Sequence, residues 1–267
     1  GPSNRLVGFP YTKAMNSNWD LDQAAALIVC SAEAAETAGV ARDRWLFPHS
    51  GTDGADTNFV SNRADLHSSP AIRVAGRKAM ELAGVTPDDI DHVDLYSCFP
   101  SAVQIAATEM ELGIDRQLTQ TGGLTFAGGP LNNYVTHSIA TMANVLREDA
   151  GTVGLCSANG GYITKHAFGL YSTTPPSNGF KHQDCQTEID AFPSVDLDAE
   201  HVGSGTIEAY TVMHGADGPE RGLASVRTPN GRQWAGTSDL PLMESMMTEE
   251  HVGRSVQVLP DFSFELV

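Results

Sequence analysis

The sequence predicts a layered α/β domain followed by a small all-β barrel of OB type, with a β-sandwich as the other arrangement considered for the second part. Three observations carry this expectation. Helical patterns alternate with short apolar runs between about residues 24 and 171. A turn-rich break, Thr174-Pro175-Pro176-Ser177-Asn178-Gly179, follows. Beyond it the chain becomes short alternating segments separated by turn residues.

Residues 4–20 mix aromatics with Asn, Ser and Pro and read as irregular loop. Ala24-Ala25-Ala26-Leu27-Ile28-Val29-Cys30 has the length and content of a strand buried on both faces. An alanine-rich helix is expected from about Ala32 to Ala38, stopped by Gly39, then a strand at Trp45–Phe47 and loop over 49–66. Ser69-Pro70 pairs a capping hydroxyl with Pro at the first helical position. From there Ile72, Ala75, Ala79 and Leu82 form one stripe, and the helix ends at Gly84. Ile90–Leu95 reads as a strand, Pro100 opens a second helix, and a glycine-rich stretch over 122–130 precedes a third helix from about Asn132 to Arg147. Val153–Cys156 and Tyr162–Tyr171 read as further strands. After the break, strands are expected at Thr206–Met213, Gly222–Arg227, Gln233–Ala235, Arg254–Leu259 and Phe262–Leu266, with a hairpin turn at Pro229-Asn230-Gly231.

Composition narrows the functional classes. The chain has 267 residues, 41% of them hydrophobic, which suits two ordinary packed domains. Sixteen Lys plus Arg stand against 33 Asp plus Glu, a net charge of -17. Such a surface repels phosphates, so neither a nucleic acid nor an anionic membrane is expected as partner. The barrel itself, from Gly179 onward, carries 5 Lys plus Arg against 15 Asp plus Glu. No apolar run is long enough to span a bilayer, and no secretory leader is visible. The four cysteines are dispersed without paired spacing, so no metal or cofactor is expected and a reducing, cytoplasmic setting is the simplest one. Gly1-Pro2-Ser3 reads as the scar of a cleaved tag.

The chemistry-bearing candidates cluster in four places. Cys98 closes the strand at Tyr96-Ser97-Cys98-Phe99; a thiol there either packs or serves as an acid/base group. His137 lies one turn into the third helix, as a site residue or as a surface or capping histidine. Gly122-Gly123, Gly128-Gly129-Pro130 and Gly160-Gly161 let backbone N–H groups approach a ligand oxygen, or let strand and helix pack tightly. Asn132, Asn133 and Asn159 are amide donors or turn residues. Lys165 and His166 read mainly as strand-face residues.

The run Ser69–Gly113 and the glycine segment Gly122–Pro130 resemble the C-terminal half of the thiolase superfamily. Cys98-Phe99 matches the His-Asp-Cys-Phe motif of the sterol-carrier type, while Tyr96 and Ser97 replace its His and Asp. Gly128-Gly129-Pro130 resembles Gly-His-Pro with Gly129 in place of the histidine. Cys156-Ser157-Ala158-Asn159-Gly160-Gly161 resembles the Cys-x-Gly segment, with Ala158 at the cysteine position and Cys156 two residues upstream. The added stretch beyond the break resembles the thiolase-like proteins of type 1, grouped with acetyl-CoA acetyltransferases.

The resemblance implies a division into residues 1–66 (a loop and the last strand-helix-strand of an N-terminal half), 67–175 (the thiolase-like C-terminal domain) and 180–267 (the added barrel). It implies a place in lipid metabolism and a CoA thioester as substrate, in acyl transfer or carbon–carbon bond cleavage. Cys98 and His137 would be catalytic, and Gly129, Asn159, Gly160 and Gly161 would hold the thioester oxygen. A non-catalytic scaffold that binds CoA thioesters or a protein is the other expectation. The nucleophilic cysteine of the family belongs to the N-terminal half, so the implied partner is that half or a separate subunit, with self-association as another outcome.

Overall fold

The computed structural model describes residues 3–129 and 131–267. Two short strands, β1 (Leu6–Gly8) and β2 (Tyr11–Thr12), open the chain, followed by helix α1 (Ala32–Thr37) and strand β3 (Phe47–Ala55). Then come α2 (Pro70–Ala83), β4 (His92–Asp94), α3 (Pro100–Glu109), the single turn α4 (Gly123–Phe126) and α5 (Tyr134–Glu148). Strands β5 (Val153–Gly160), β6 (Lys165–Ser172) and β7 (Lys181–Asp184) precede the short α6 (Gln186–Ile189). The remainder is β8 (Gly203–His214), β9 (Pro219–Thr228), β10 (Gly231–Thr237), α7 (Leu240–Thr248), β11 (Ser255–Val258) and β12 (Phe264–Leu266). None of the described helices is long and apolar enough to cross a membrane.

The chain forms two compact units, one of residues 16–56 and 67–192, the other of residues 1–15, 57–66 and 193–267. The first is a five-stranded mixed sheet in the order β4-β5-β6-β3-β7. β4 runs parallel to β5, β6 lies antiparallel between β5 and β3, and β7 pairs parallel with β3. Successive side chains of a strand point to opposite faces. Leu155 and Leu170 therefore join the cluster of α2 and α3 with Ile72, Ala75 and Met110, while Cys156 and Tyr171 meet Met142 and Leu146 of α5. Covering both faces explains why β5 is apolar at consecutive positions. Helix α2 keeps its sequence signals: the Ser69 hydroxyl accepts from the Ile72 N–H at 3.1 Å, and Gly84 takes the left-handed conformation (φ 75°) that ends it.

The second unit is a seven-stranded sheet centred on β8. β9 pairs antiparallel with one edge of β8 and β10 with β9, through the hairpin turn at Asn230-Gly231. β1 and β11 share the other edge of β8, and β2 and β12 extend them. Met243 and Met246 of α7 close a core of Ile207, Val212, Val226, Val256 and Phe264.

Several expectations need correction. The OB-type barrel is not formed: between β10 and β12 a single bridge, Gly236 with Ser263, stands where a closed barrel needs a ladder. Residues 4–20 are not all loop, because β1 pairs with β8, some 200 residues away, and β2 pairs with β1. Ala24–Cys30 forms no strand; no neighbouring strand pairs with it among the described residues, and Ile28 and Val29 are 95% and 90% exposed. β3 extends from Phe47 through the polar Ser50–Ala55, which lacks a strand signature and is held by pairing with β6 and β7. The turn at 174–179 is followed by β7 in the same sheet as β3, so it connects two strands of one unit. The Leu240–Thr248 helix carries no alternation and lay unrecognised in a segment read as strands.

One charged cluster holds the second unit together. Glu208 occupies a β-bulge on β8, where the register shifts between Ile207 and Ala209. It accepts from Arg232 and from the Ser225 hydroxyl (2.8 Å), and pairs with Arg227 at 2.8 Å. Arg232, 0% exposed, also donates to the carbonyls of Ser61 (2.9 Å) and Arg63 (2.7 Å), tying residues 57–66 to the sheet. A buried cation with these acceptors leaves several bare when removed. Arg232→Met is expected to cost about 3 kcal/mol, read as a lowered urea midpoint with an unchanged slope.

Candidate functional site

The C-terminal ends of the parallel strands β4 and β5 meet the first turns of α5. Helix α5 runs back along β5, with Met142 and Leu146 packed at Gly154 near the start of the strand. Its beginning therefore lies towards the strand's far end, beside Asp94.

Asp94, the last residue of β4, is 0% exposed, and no ion pair reaches it among the described residues. Five donors replace solvent. Tyr134 and Ser138 hydroxyls on α5 each reach Oδ1 at 2.8 Å. The Thr119 hydroxyl (3.1 Å) and the backbone N–H groups of Gln120 (2.7 Å) and Thr121 (3.2 Å) reach Oδ2. Thr121 then shares a hydrogen bond with Tyr134 (2.7 Å) and accepts from Gly123 N–H (3.0 Å). One carboxylate thus joins β4, the glycine segment and α5. Burial, with Asp94 adding to it, pushes the Tyr134 phenol well above its ordinary range, so it remains a donor.

Tyr96-Ser97-Cys98-Phe99 bridges β4 and α3. Tyr96 N–H donates to Ser157 Oγ (2.8 Å) on β5, and Leu124 N–H donates to Ser97 Oγ (3.1 Å), bringing the glycine segment onto this loop. Cys98 faces Asn159 at the end of β5, whose Nδ2 lies 3.6 Å from Sγ. Burial pushes the Cys98 thiol up, against the opposing pull of the Phe99 and Cys98 backbone N–H groups and the Asn159 amide. Cys156 is a different case. It lies on the opposite face under α5, burial pushes its thiol up to about 12, and packing accounts for it.

The segment Asn16–Gln23 straps these loops together. Ser17 N–H donates to Cys98 O (3.0 Å), Asn18 N–H to Leu124 O (3.0 Å), and Gly129 N–H to Asn18 O (2.8 Å). Thr125 Oγ1 donates to Asn16 O (3.0 Å), and the Gln23 amide donates to Ala127 O. A Cβ at position 129 would lie 2.3 Å from Ser17 Oγ and 2.8 Å from Leu124 Cδ2. Glycine at 129 is therefore the residue that lets the strap approach, and its N–H is already engaged.

The expected site residues separate accordingly. Cys98 and Asn159 come together. Gly160 and Gly161 form the β5–β6 hairpin tip, with Gly161 in the left-handed region (φ 67°) and Thr164 N–H returning to Gly160 O at 3.2 Å. His137 lies on α5 with a buried Nδ1 that has no hydrogen-bond partner among the described residues, one turn from Asn133, whose Nδ2 is in the same condition. Among the described residues no hydrogen bond or ion pair joins His137 to Cys98. Asn132 is exposed, and His166 is buried 3.8 Å from Asp56 on β6. Pro130 lies outside the described residues. Sequence reasoning missed Asp94 and the strap. A lone acid within Val93-Asp94-Leu95, followed by Thr119, Thr121, Tyr134 and Ser138, is the signal that a buried carboxylate would find donors.

Comparison with known proteins shows which family the chain belongs to. A thiolase C-terminal domain-like family profile matches residues 52–114. A profile for the additional C-terminal domain of thiolase-like protein type 1 matches residues 184–262. This chain is a thiolase-superfamily protein. A monomeric SCP2-thiolase-like protein type 1 from Mycobacterium smegmatis superposes with a TM-score of 0.83 at 32% identity, over 99% of this chain and 59% of its own. An acetyl-CoA acetyltransferase of Methanocaldococcus jannaschii is 36% identical over 78 residues, 29% of this chain and 20% of that protein. A 3-ketoacyl-CoA thiolase of a Marinomonas species is 32% identical over 145 residues, 51% of this chain and 33% of that protein. This thiolase-like chain thus spans less than two thirds of the length of each.

Two outcomes test the site. Asp94→Ala strands five donors and is expected to lower stability by about 3 kcal/mol or more, measured by denaturant unfolding. Gly129→His is expected to cost about 1–3 kcal/mol through overpacking against buried Leu124; an unchanged thermal midpoint would show that the strap yields freely.

Proposed function

We propose that this chain handles CoA thioesters at the Cys98–Asn159 site, as the C-terminal part of an acyltransferase or a carbon–carbon bond-cleaving relative. The observation that carries the reading is the thiol–amide pair, set between the glycine segment and the Gly160–Gly161 tip. Unpartnered buried polar atoms support it: Asn159 Oδ1, His137 Nδ1 and Asn133 Nδ2 have no hydrogen-bond partner among the described residues. In this proposal the Cys98 thiol, held protonated by burial, donates a proton, and the Asn159 amide orients it. Asn159 and the Gly160–Gly161 tip hold the thioester oxygen, because the Gly129 N–H is committed to Asn18. His137 is the base candidate. A thiolase-type N-terminal half outside these residues supplies the nucleophile, in a cytoplasmic role in lipid metabolism.

A second reading has an observation of its own. Gly129 and Ala158 stand where the family places two catalytic side chains, and the space at 129 is filled by Ser17 and Leu124. A scaffold that binds CoA thioesters without turning them over fits these substitutions.

Thermal unfolding with acetyl-CoA and with free CoA separates the outcomes. Ligand at about 100 times its Kd adds about 2.7 kcal/mol of stability; no shift with either ligand would sink both readings. Turnover lost in Cys98→Ala with the ligand-induced shift retained supports catalysis, and an assembly that binds without turnover supports the scaffold. The raised thiol predicts a pH dependence as well. Thiolate forms only as pH rises through a value above the ordinary cysteine range, so alkylation of Cys98 at pH 8 is expected to be slower than that of a free thiol and to accelerate at higher pH.

A further inference from the structure

We infer that His166 is a positioning residue for the Cys98–Asn159 pair: it holds the Asn159 amide from the neighbouring strand, and Asp56 holds it in turn. The inference deepens the proposed function and rests on its reading of Cys98 as the group that carries the proton.

The ladder between β5 and β6 places His166 directly opposite Asn159. Side chains opposite each other in an antiparallel pair leave the same face, with Cβ atoms about 5 Å apart. That face is the one covered by α2 and α3, because the pair Leu155 and Leu170, an even number of residues along each strand, packs in their cluster. Phe168 and Leu170, next along this face of β6, are apolar core residues, so the polarity at 166 belongs to the site end of the strand. Asn159 turns Nδ2 towards Cys98 Sγ (3.6 Å), and its buried Oδ1 has no hydrogen-bond partner among the described residues. The oxygen end of the amide is thus left to its cross-strand neighbour.

His166 is 5% exposed, and its Nε2 lies 3.8 Å from Asp56 Oδ2. Asp56 is itself fixed at the start of α2, where it accepts from the Ala71 N–H (2.9 Å) and the Ser69 hydroxyl (2.5 Å). Ser69 N–H reaches Glu109 Oε1 on α3 (2.9 Å), and Glu109 pairs with Arg73 of α2 at 2.6 Å. The charged groups around the imidazole are therefore Asp56 beside it and the Glu109–Arg73 pair behind Ser69. Gly54, its partner on β3, brings no side chain, and exposed Lys165 points to the opposite face. A histidine held against a carboxylate presents positive potential to the Asn159 oxygen, which polarises the amide so that Nδ2–H donates more strongly to sulfur. When Cys98 passes its proton to the substrate, the electron pair left on Sγ is stabilised through Asn159. Loss of His166 makes that thiolate harder to form.

The test is the pH profile of Cys98 alkylation by iodoacetamide, in a Cys30→Ser background and followed on the Cys98 peptide by mass. His166→Phe is expected to slow the reaction about threefold at pH 8 and to leave the plateau at high pH unchanged, the pattern of a raised thiol. His166→Gln keeps an N–H donor and is expected to recover at least half of the lost rate. A merely structural role would act in the other direction, because loosening exposes Cys98 and speeds alkylation at every pH. Superimposable profiles for the parent and His166→Phe overturn the inference, and so does acceleration. A second measurement needs no variant and decides the matter should His166→Phe not fold. The side-chain amide resonances of Asn159 are expected to follow the His166 ring protons through a common titration between about pH 5 and pH 9; an Asn159 amide that stays fixed across that range overturns the coupling. Neither measurement uses CoA, so a chain that shows the coupling but binds no CoA keeps this inference and loses the thioester reading.

Discussion

The α/β unit depends on one buried carboxylate. Asp94 ends β4 with no ion pair among the described residues, and its burial is tolerated because two hydroxyls of α5, one threonine hydroxyl and two backbone N–H groups converge on it. Those donors come from two places, the residues 119–121 that lead into the glycine segment and the first turns of α5, the helix that carries His137. An unsatisfied acid at this depth would cost more than any single contact around it contributes. The donors are therefore held to one arrangement, and the loops they belong to are held with them.

Around that anchor the site is built mostly from backbone. The strap Asn16–Gln23 reaches Cys98, Leu124 and Ala127 through their carbonyls, and Gly129 returns an N–H to Asn18. Backbone contacts of this sort are indifferent to side-chain identity. Ser17 and Leu124 occupy the space beside Gly129, which only glycine leaves open to them.

The second unit solves a different problem. Its central strand β8 carries a bulge, and the extra residue, Glu208, turns a break in the ladder into the acceptor for Arg227, Arg232 and Ser225. Because Arg232 also caps the carbonyls of residues 60–63, a segment distant in sequence joins the sheet. Met243 and Met246 of α7 cover the core of this open sheet.

Much of this was legible in the sequence because it is written locally. Ser69-Pro70 and Gly84 bound α2 through capping and a left-handed residue. The apolar period of α5, the buried run of β5 and the Asn230-Gly231 turn need only neighbouring residues to be read. The motif around Cys98-Phe99 and the glycine segment was equally visible, and it placed Cys98 and Asn159 in the same site. Pairing across long distances was decided by tertiary structure alone. β1 becomes a strand because β8 offers an edge to it, β2 because β1 does, and the polar Ser50–Ala55 becomes strand because β6 and β7 flank it. Ala24–Cys30 shows the converse: its composition specifies a strand, yet backbone hydrogen bonds require a neighbour, and none of the described residues supplies one. Sequence by itself determined which segments have the chemistry of strands, helices and loops; which strands have partners, and which carboxylate the site hangs on, followed from contacts between residues far apart in the chain.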